Sequence, residues 1–327
     1  MNPRALLGAL DVEHAQSGSA LAARCGVTRA AIWKQIEALR ALGVSIDARA
    51  GAGYRLAVPL DLLDADAIRD ALADATRAAF GAIDLHWQID STNSELLRRR
   101  LTSDQLLACL AEIQTDGRGR RGRGWHLPLT GGLALSVRRR FDSSMGGLAG
   151  LSLVVGVALV RALAQLRIDG VGVKWPNDII VDQRKLAGIL IELGGDALGP
   201  CHAVIGIGIN VRLGAGAAAA IDQPWIDLAQ IAGAALPTRN ALAAAVLTQL
   251  AQALVRFERD GLAVFMNEFA LCDVLRGRML RILGSSGVRE GIALGIDGNG
   301  RLRVRGDHGE FLVDSGEVSV RAQATSA

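Results

Sequence analysis

Two runs of this sequence concentrate groups that can handle anions. The first is Gln114-Thr115-Asp116-Gly117-Arg118-Gly119-Arg120-Arg121-Gly122-Arg123-Gly124-Trp125. Its Gly117-x-Gly119-x-x-Gly122 spacing imitates a dinucleotide fingerprint, but no helical pattern opens after Gly122, and there is no Walker A lysine. What remains is four arginines interleaved with glycines. Glycines let backbone N–H groups approach an anion closely, and guanidinium forks neutralise it. An RGG-like nucleic-acid tail is the competing reading. The flanks are strand-like rather than tail-like, which favours a flexible phosphate-binding loop.

The second run is Lys174-Trp175-Pro176-Asn177-Asp178. A lysine that ends a strand and is followed by Trp-Pro is held in a stiff extended turn. Its ammonium can bridge two anions, such as a carboxylate and a phosphate. A β-turn with a surface lysine explains the same residues, and both readings stand at this point. Asp90-Ser91-Thr92-Asn93-Ser94 lies where a strand gives way to a helix, so hydroxyls and N-terminal amides face one ligand. Arg184-Lys185-Leu186-Ala187-Gly188 puts a further lysine at a strand start, where edge protection is the alternative role.

The elements that would position these runs follow from periodicity. Residues 1–57 read as short helices at Arg4–Leu10, Ala20–Cys25 and Arg29–Leu42, then strands at Val44–Ala48 and Tyr54–Ala57. Gly26 caps the second helix and Thr28 opens the third, with Ile32, Ile36 and Leu39 on one face. This is a helix-turn-helix with a wing, and Thr28, Arg29, Lys34, Gln35 and Arg40 are its exposed polar side chains. A helical bundle with a solvated face, or a protein-interaction module, is the alternative.

After a linker at Val58–Asp61 the pattern becomes mixed. We expect helices near 65–75, 92–101, 148–167, 226–233 and 239–259, and strands near 83–89, 106–114, 132–140, 171–174, 179–182, 185–193 and 202–211. Leu213–Ala220 is Gly/Ala-rich. Beyond Cys272 come short strands at 278–283, 288–296, 302–305, 311–313 and 317–320, with Asp297-Gly298-Asn299-Gly300 as a hairpin turn. The fold class is α+β, with domains expected at 1–60, 61–271 and 272–327.

Composition limits the alternatives. The 327 residues are 50% hydrophobic and 21% charged, enough apolar material for cores in two or three domains. No run reaches about 18 uninterrupted apolar residues; Leu148–Leu166 comes nearest, broken by Ser152, Arg161 and Gln165. The start, Met1-Asn2-Pro3-Arg4, has no apolar signal core. We therefore expect a cytoplasmic protein with no membrane partner. Cys25, Cys109, Cys201 and Cys272 have no paired spacing and read as small buried hydrophobes, and no metal site is expected. Net charge is only +3, yet of 36 basic residues just three are lysines, Lys34, Lys174 and Lys185. Two of those three fall in the anion-handling runs.

Asp90-Ser91-Thr92-Asn93, the Gly117–Trp125 loop, Lys174-Trp175-Pro176-Asn177-Asp178, Arg184-Lys185-Leu186-Ala187-Gly188 and Gly206-Ile207-Gly208-Ile209-Asn210 occur in this order. With the winged helix-turn-helix, the chain resembles the biotin–protein ligase family. The likeness is to its bifunctional bacterial form, a biotin–[acetyl-CoA-carboxylase] ligase that is also a biotin operon repressor, and it spans essentially the whole chain. The resemblance implies a class II synthetase-like catalytic domain and an SH3-like C-terminal β-barrel. It implies formation of biotinyl-5′-AMP from biotin and ATP, then transfer to a lysine of the biotin carboxyl carrier domain of acetyl-CoA carboxylase. By the same resemblance Lys174, Arg118 and Arg120 are catalytic, and Ser91, Thr92, Asn93, Gln114, Gly117 and Gly119 join them around biotin. Arg121, Arg123, Lys185, Asn210 and Trp225 would hold ATP, with Mg²⁺ arriving on the nucleotide. Operator DNA would meet Thr28, Arg29, Lys34 and Gln35, and the adenylate-bound form would pair into a homodimer by sheet edges. A lipoate- or octanoate-transferring relative and a ligand-sensing transcription factor without catalysis are the competing functions.

Overall fold

The computed structural model describes residues 3–49, 51–100, 104–196, 198–214, 221–284 and 287–315, and the backbone of 319–322. The N-terminal unit contains α1 (Pro3–Ala9), α2 (Gly18–Cys25), α3 (Arg29–Ala41) and the antiparallel pair β1 (Ile46–Arg49) and β2 (Gly53–Leu56). Local signals set its ends. Ser17 Oγ caps α2 through Ala20 N, Thr28 Oγ1 caps α3 through Ala31 N at 3.2 Å, and Gly26 supplies the left-handed turn at φ 63°. Leu6, Leu21, Ile32, Ile36 and Leu39 form its core without exposure.

That core does not stop at the linker. Leu129 is buried in it, and Trp87 and Ile113 pack against it. The linker is gripped by charge as well. The Arg239 guanidinium donates to Glu112 Oε2 (2.8 Å), Asp61 O (2.8 Å) and Gly132 O (2.9 Å), while Leu63 N–H donates to Glu112 Oε1 at 2.6 Å.

The central body is a seven-stranded sheet of β3 (Phe80–Ile89), β4 (Leu106–Gln114), β5 (Gly132–Phe141), β6 (Gly172–Lys174), β7 (Asp178–Val181), β8 (Arg184–Gly195) and β9 (Cys201–Asn210). The strand order is β3-β4-β5-β9-β8-β7-β6, and only the β3–β4 pair is parallel. The β7 ladder on β8 ends at Gly188, so from Leu190 to Gly195 strand β8 is paired only with β9 among the described residues. Against the sheet pack α7 (Leu151–Gln165) and α9 (Arg239–Asp260), with α4 (Ala65–Asp70), α5 (Asp74–Ala79), α6 (Thr92–Arg98), α8 (Leu228–Ala232) and α10 (Met266–Cys272) around them. The stretch Met145–Gln165 is long and apolar enough to cross a membrane. Here ten residues of α7 are buried in the core instead.

The C-terminal unit is a five-stranded antiparallel sheet of β10 (Met279–Gly284), β11 (Gly287–Ile296), β12 (Leu302–Gly306), β13 (Gly309–Val313) and β14 (Ser319–Ala322), in the order β13-β12-β11-β10-β14. Its inner face shares one core with the central body through Leu280, Ile282, Leu302 and Val304.

Several expectations need correction. The helix expected at 65–75 is two, α4 and α5, because Ala71–Ala73 turns the chain before an extended residue at Ala73. Strand β3 begins at Phe80 rather than 83, and α10 was not anticipated. Cys109 and Cys201 are buried, but Cys25 and Cys272 are only half-buried. Residues 317 and 318 of the last expected strand, and 215–220 of the Gly/Ala-rich segment, lie outside the described residues.

Candidate functional site

A cleft of about 1140 Å³ opens in the central body beside the N- and C-terminal units. Of the ligand-site residues named from sequence, all but Gly117 line it: Ser91, Thr92, Asn93, Gln114, Arg118, Gly119, Arg120, Arg121, Arg123, Lys174, Lys185, Asn210 and Trp225. Runs up to about 130 residues apart in the chain thus converge on one cleft. Ala41, Leu42 and Gly43 from the end of α3 reach its rim, as do Leu275 and Arg278 before β10.

The arginine-glycine run is not an open flexible loop. It closes on itself as a small hairpin, with Trp125 N–H donating to Gly117 O and Gly119 N–H to Arg123 O, both at 2.7 Å. Gly117 is required here, because a Cβ would lie 2.2 Å from Trp125 O. At the tip Arg121 takes φ 59°, a left-handed conformation that a side chain rarely adopts. Tip geometry separates the arginines. Arg118 donates to Ser94 Oγ at 2.9 Å and reaches Glu192 at 3.4 Å, whereas Arg120 donates to Asn177 Oδ1 at 3.2 Å and to Ser315 O. Burial, then the neighbouring Arg121 charge, push the Arg120 pKa down, with Asp178 opposing.

Lys174 ends β6, half-buried, in register with Asp178 on β7. The next residue fixes that end of the strand. Trp175 is 1% exposed and its Nε1–H donates to Gly300 O at 2.9 Å, tying the segment to the β11–β12 turn. The Trp175–Pro176 peptide is cis. Ser152 Oγ donates to Pro176 O from the first turn of α7.

On the opposite wall Ser91 caps α6, and Ser91, Thr92 and Asn93 are all nearly buried. Gln114 Oε1 accepts from Thr92 N–H at 2.8 Å and lies 3.0 Å from Thr92 Oγ1. Two residues absent from the sequence-based set complete the network. The Ser136 hydroxyl on β5 is 2.7 Å from Thr92 Oγ1 and 2.6 Å from Asn93 Oδ1, and Glu192 Oε2 on β8 accepts from Asn93 Nδ2 at 2.7 Å. Asn93 fits only because position 206 is glycine, where a Cβ would stand 2.3 Å from Asn93 Oδ1. Strand-interior glycines mark such close approaches, and the Gly206-Ile207-Gly208 spacing was the available signal.

The second of those glycines makes room for an aromatic ring. A Cβ at Gly208 would be 2.2 Å from Trp125 Nε1, and one at Gly188 would be 3.4 Å from the same indole. Trp125 therefore lies against the β8–β9 floor, with its Nε1–H buried and without a protein partner. The Lys185 ammonium is 5.5 Å from the ring centroid and pairs with Asp178 Oδ1 at 2.7 Å. The Trp225 segment is held by backbone bonds, from Lys185 N–H to Pro224 O and from Ile226 N–H to Lys185 O. Asn210 is buried and donates to Lys185 O and Ile226 O, so its Nδ2 braces this corner.

The four DNA-site candidates lie elsewhere, at the start and middle of α3. Thr28, Arg29 and Lys34 are exposed and Gln35 is half-buried. Arg40 is not a free groove contact, because its guanidinium donates to Ile46 O and to Glu37 Oε1, fastening α3 to the wing. Trp33 is 59% exposed on the same outward face.

Comparison with known proteins agrees with this layout. Residues 86–210 match the biotin/lipoate A/B protein ligase family, 10–55 an HTH domain, and 277–321 the biotin protein ligase C-terminal domain. The bifunctional ligase/repressor BirA of Salmonella typhimurium is 39% identical over 322 residues, covering 98% of each chain. Its Escherichia coli K12 counterpart is 38% identical over 98% of this chain and 97% of its own. Among solved structures, the Aquifex aeolicus biotin protein ligase in complex with biotin and ATP superposes with a TM-score of 0.63 at 27% identity. That match covers 75% of this chain and all of the other. On this sequence identity, carried end to end, the chain belongs to the biotin–protein ligase family, in the form that carries an N-terminal HTH domain.

Proposed function

We propose that the chain is an ATP-dependent biotin–protein ligase and a transcriptional repressor controlled by its own adenylate. The observation that carries the reading is the convergence of Arg118, Arg120 and Lys174 with the Thr92–Gln114 wall on one cleft floored by β8 and β9. Biotin's carboxylate must attack the ATP α-phosphate, so two anions must meet and the charge of the phosphoryl transition state must be stabilised. Lys174 is assigned to the carboxylate and the forming acyl phosphate, and Arg118 and Arg120 to the phosphate. Ser91, Thr92, Asn93 and Gln114 surround the ureido ring, Gly119 lies over biotin, and Gly117 shapes the hairpin that carries Gly119. Arg121, Arg123 and Lys185 take the triphosphate, Trp225 the adenine and Asn210 the corner beneath it. Biotinyl-5′-AMP and pyrophosphate result. A lysine amine of the carboxylase carrier domain then attacks the acyl carbon, the acyl–phosphate bond breaks and AMP leaves.

Mg²⁺ fits as a passenger of the nucleotide. Among the described residues no cluster of three His, Cys, Asp or Glu forms a cage, and Asp178 is the carboxylate beside Lys185. The finer architecture follows the family: a winged HTH domain at 1–60, a class II synthetase-like domain at 61–271 and an SH3-like barrel at 272–327, in a cytoplasmic protein. For repression Thr28, Arg29, Lys34 and Gln35 meet operator DNA, and the adenylate-bound chain pairs through the open β8 edge at Leu190–Gly195. The test is biotin-dependent pyrophosphate release from ATP. Lys174→Ala and Arg120→Ala are each expected to lower it by about 100-fold or more, and release unaffected by both substitutions would refute the assignment.

A further inference from the structure

We infer that Ser136 and Arg138 are positioning residues that set biotin affinity from outside the cleft, by holding α6 on β5 at both of its ends. The inference rests on the biotin reading above, because α6 carries Thr92 and Asn93 of the assigned biotin wall.

The two faces of β5 have different neighbours. Leu133, Leu135 and Val137 point into the main core, so the alternating residues Ser136 and Arg138 face α6. Apolar seating on that second face is slight. Leu96 of α6 meets Cys109 and Val204 in a small buried cluster separate from the main core. A seven-residue helix is too short to hold its own shape, so its place depends on what the sheet offers it.

Hydrogen bonds from β5 supply the rest. At the start of α6 the fully buried Ser136 hydroxyl lies 2.7 Å from Thr92 Oγ1 and 2.6 Å from Asn93 Oδ1. At the other end the nearly buried Arg138 donates from Nη1 to Leu96 O at 2.6 Å and to Arg99 O. The last carbonyls of a helix have no partner within it, and a cation there also complements the helix dipole. Burial pushes the Arg138 pKa down and no carboxylate among the described residues offsets it, so the guanidinium is committed to the helix end.

Neither residue lines the cleft. Gln114 and Glu192 hold Thr92 and Asn93 from the side, so losing a β5 bond displaces the wall without detaching it. The residues assigned to ATP lie instead on the arginine-glycine hairpin, β8, β9 and the Trp225 segment. Biotin and ATP therefore report separately on the seating of α6.

The experiment titrates pyrophosphate release by the full chain with biotin at saturating ATP, and with ATP at saturating biotin. Ser136→Ala and Arg138→Met are each expected to raise the biotin KM about tenfold, the scale of one or two net hydrogen bonds, with the ATP KM within about twofold of wild type. Arg138→Lys keeps a cation at the helix end and is expected to raise the biotin KM only about threefold, which also covers poor folding of the methionine variant. A merely structural loss would shrink the folded fraction, lowering kcat while leaving both KM values in place. A biotin KM within about twofold of wild type in both Ser136→Ala and Arg138→Met overturns the proposal, as does an equal rise in the two KM values. No biotin-dependent release by the wild type overturns the functional reading beneath it.

Discussion

Replacing Arg239 with methionine tests whether the Arg239–Glu112 pair holds the N-terminal unit to the catalytic body. The side chains are 1% and 2% exposed, so both charges are removed from water. Arg239 satisfies three acceptors on three segments, namely Glu112 on β4, Asp61 in the linker and Gly132 at the start of β5. Methionine fills a similar volume but leaves Glu112 buried with the Leu63 N–H as its remaining hydrogen-bond donor. Losing one partner of a buried pair costs about 3–5 kcal/mol, because the other charge is stranded. At roughly 2–4 °C per kcal/mol for a domain of this size, the unfolding midpoint should fall by roughly 10 °C. Substituting both, Glu112→Leu with Arg239→Met, removes the stranded charge and should recover part of the loss. Thermal unfolding of the wild type, both single variants and the double variant is the assay. A midpoint for Arg239→Met within experimental scatter of the wild type would refute the reasoning. So would a double variant whose loss equals the sum of the singles.

Three further outcomes are expected. Gly206→Ala and Gly208→Ala place a methyl 2.3 Å from Asn93 Oδ1 and 2.2 Å from Trp125 Nε1; each should raise the biotin KM at least about tenfold with the fold retained by circular dichroism, since neither neighbour can keep its position. Arg98 hydrogen bonds, followed by weaker backbone help from Ser91, hold the Asp90 carboxyl down from 3.8 to about 2. A depressed folded pKa stabilises above 3.8 and that contribution is lost as pH falls toward 2, so Arg98→Ala should flatten the acid limb of stability in that window when unfolding is measured against pH. Trp33→Ala, at an outward position of α3, should weaken binding to the biotin-synthesis promoter about tenfold in a gel shift, while pyrophosphate release is unchanged.

Local chemistry made much of this protein legible. Thr28, Ser91 and Gly26 announce their helix ends because capping is a short-range property, and the β-branched runs of β8 and β9 declare themselves by composition. The ordered motifs identified the family, and the structure gathers them in one cleft. What sequence could not give is who faces whom across the sheet. Ser136 is an unremarkable serine until β5 is placed between β4 and β9, and Glu192 an ordinary strand glutamate until α6 brings Asn93 to it. Arg40 fits a DNA contact by helical spacing, yet the β1 carbonyl of Ile46 claims it first. The closure of the arginine-glycine run was hidden for the same reason: its glycines permit many conformations, and the Gly117–Trp125 bond selects one.

The central claim is tested most directly by native mass spectrometry of the full chain incubated with biotin, ATP and Mg²⁺. The account predicts a retained mass increment equal to biotinyl-5′-AMP that needs both substrates and disappears in Lys174→Ala. A wild-type chain that binds biotin or ATP separately, but never carries the adenylate, would contradict it.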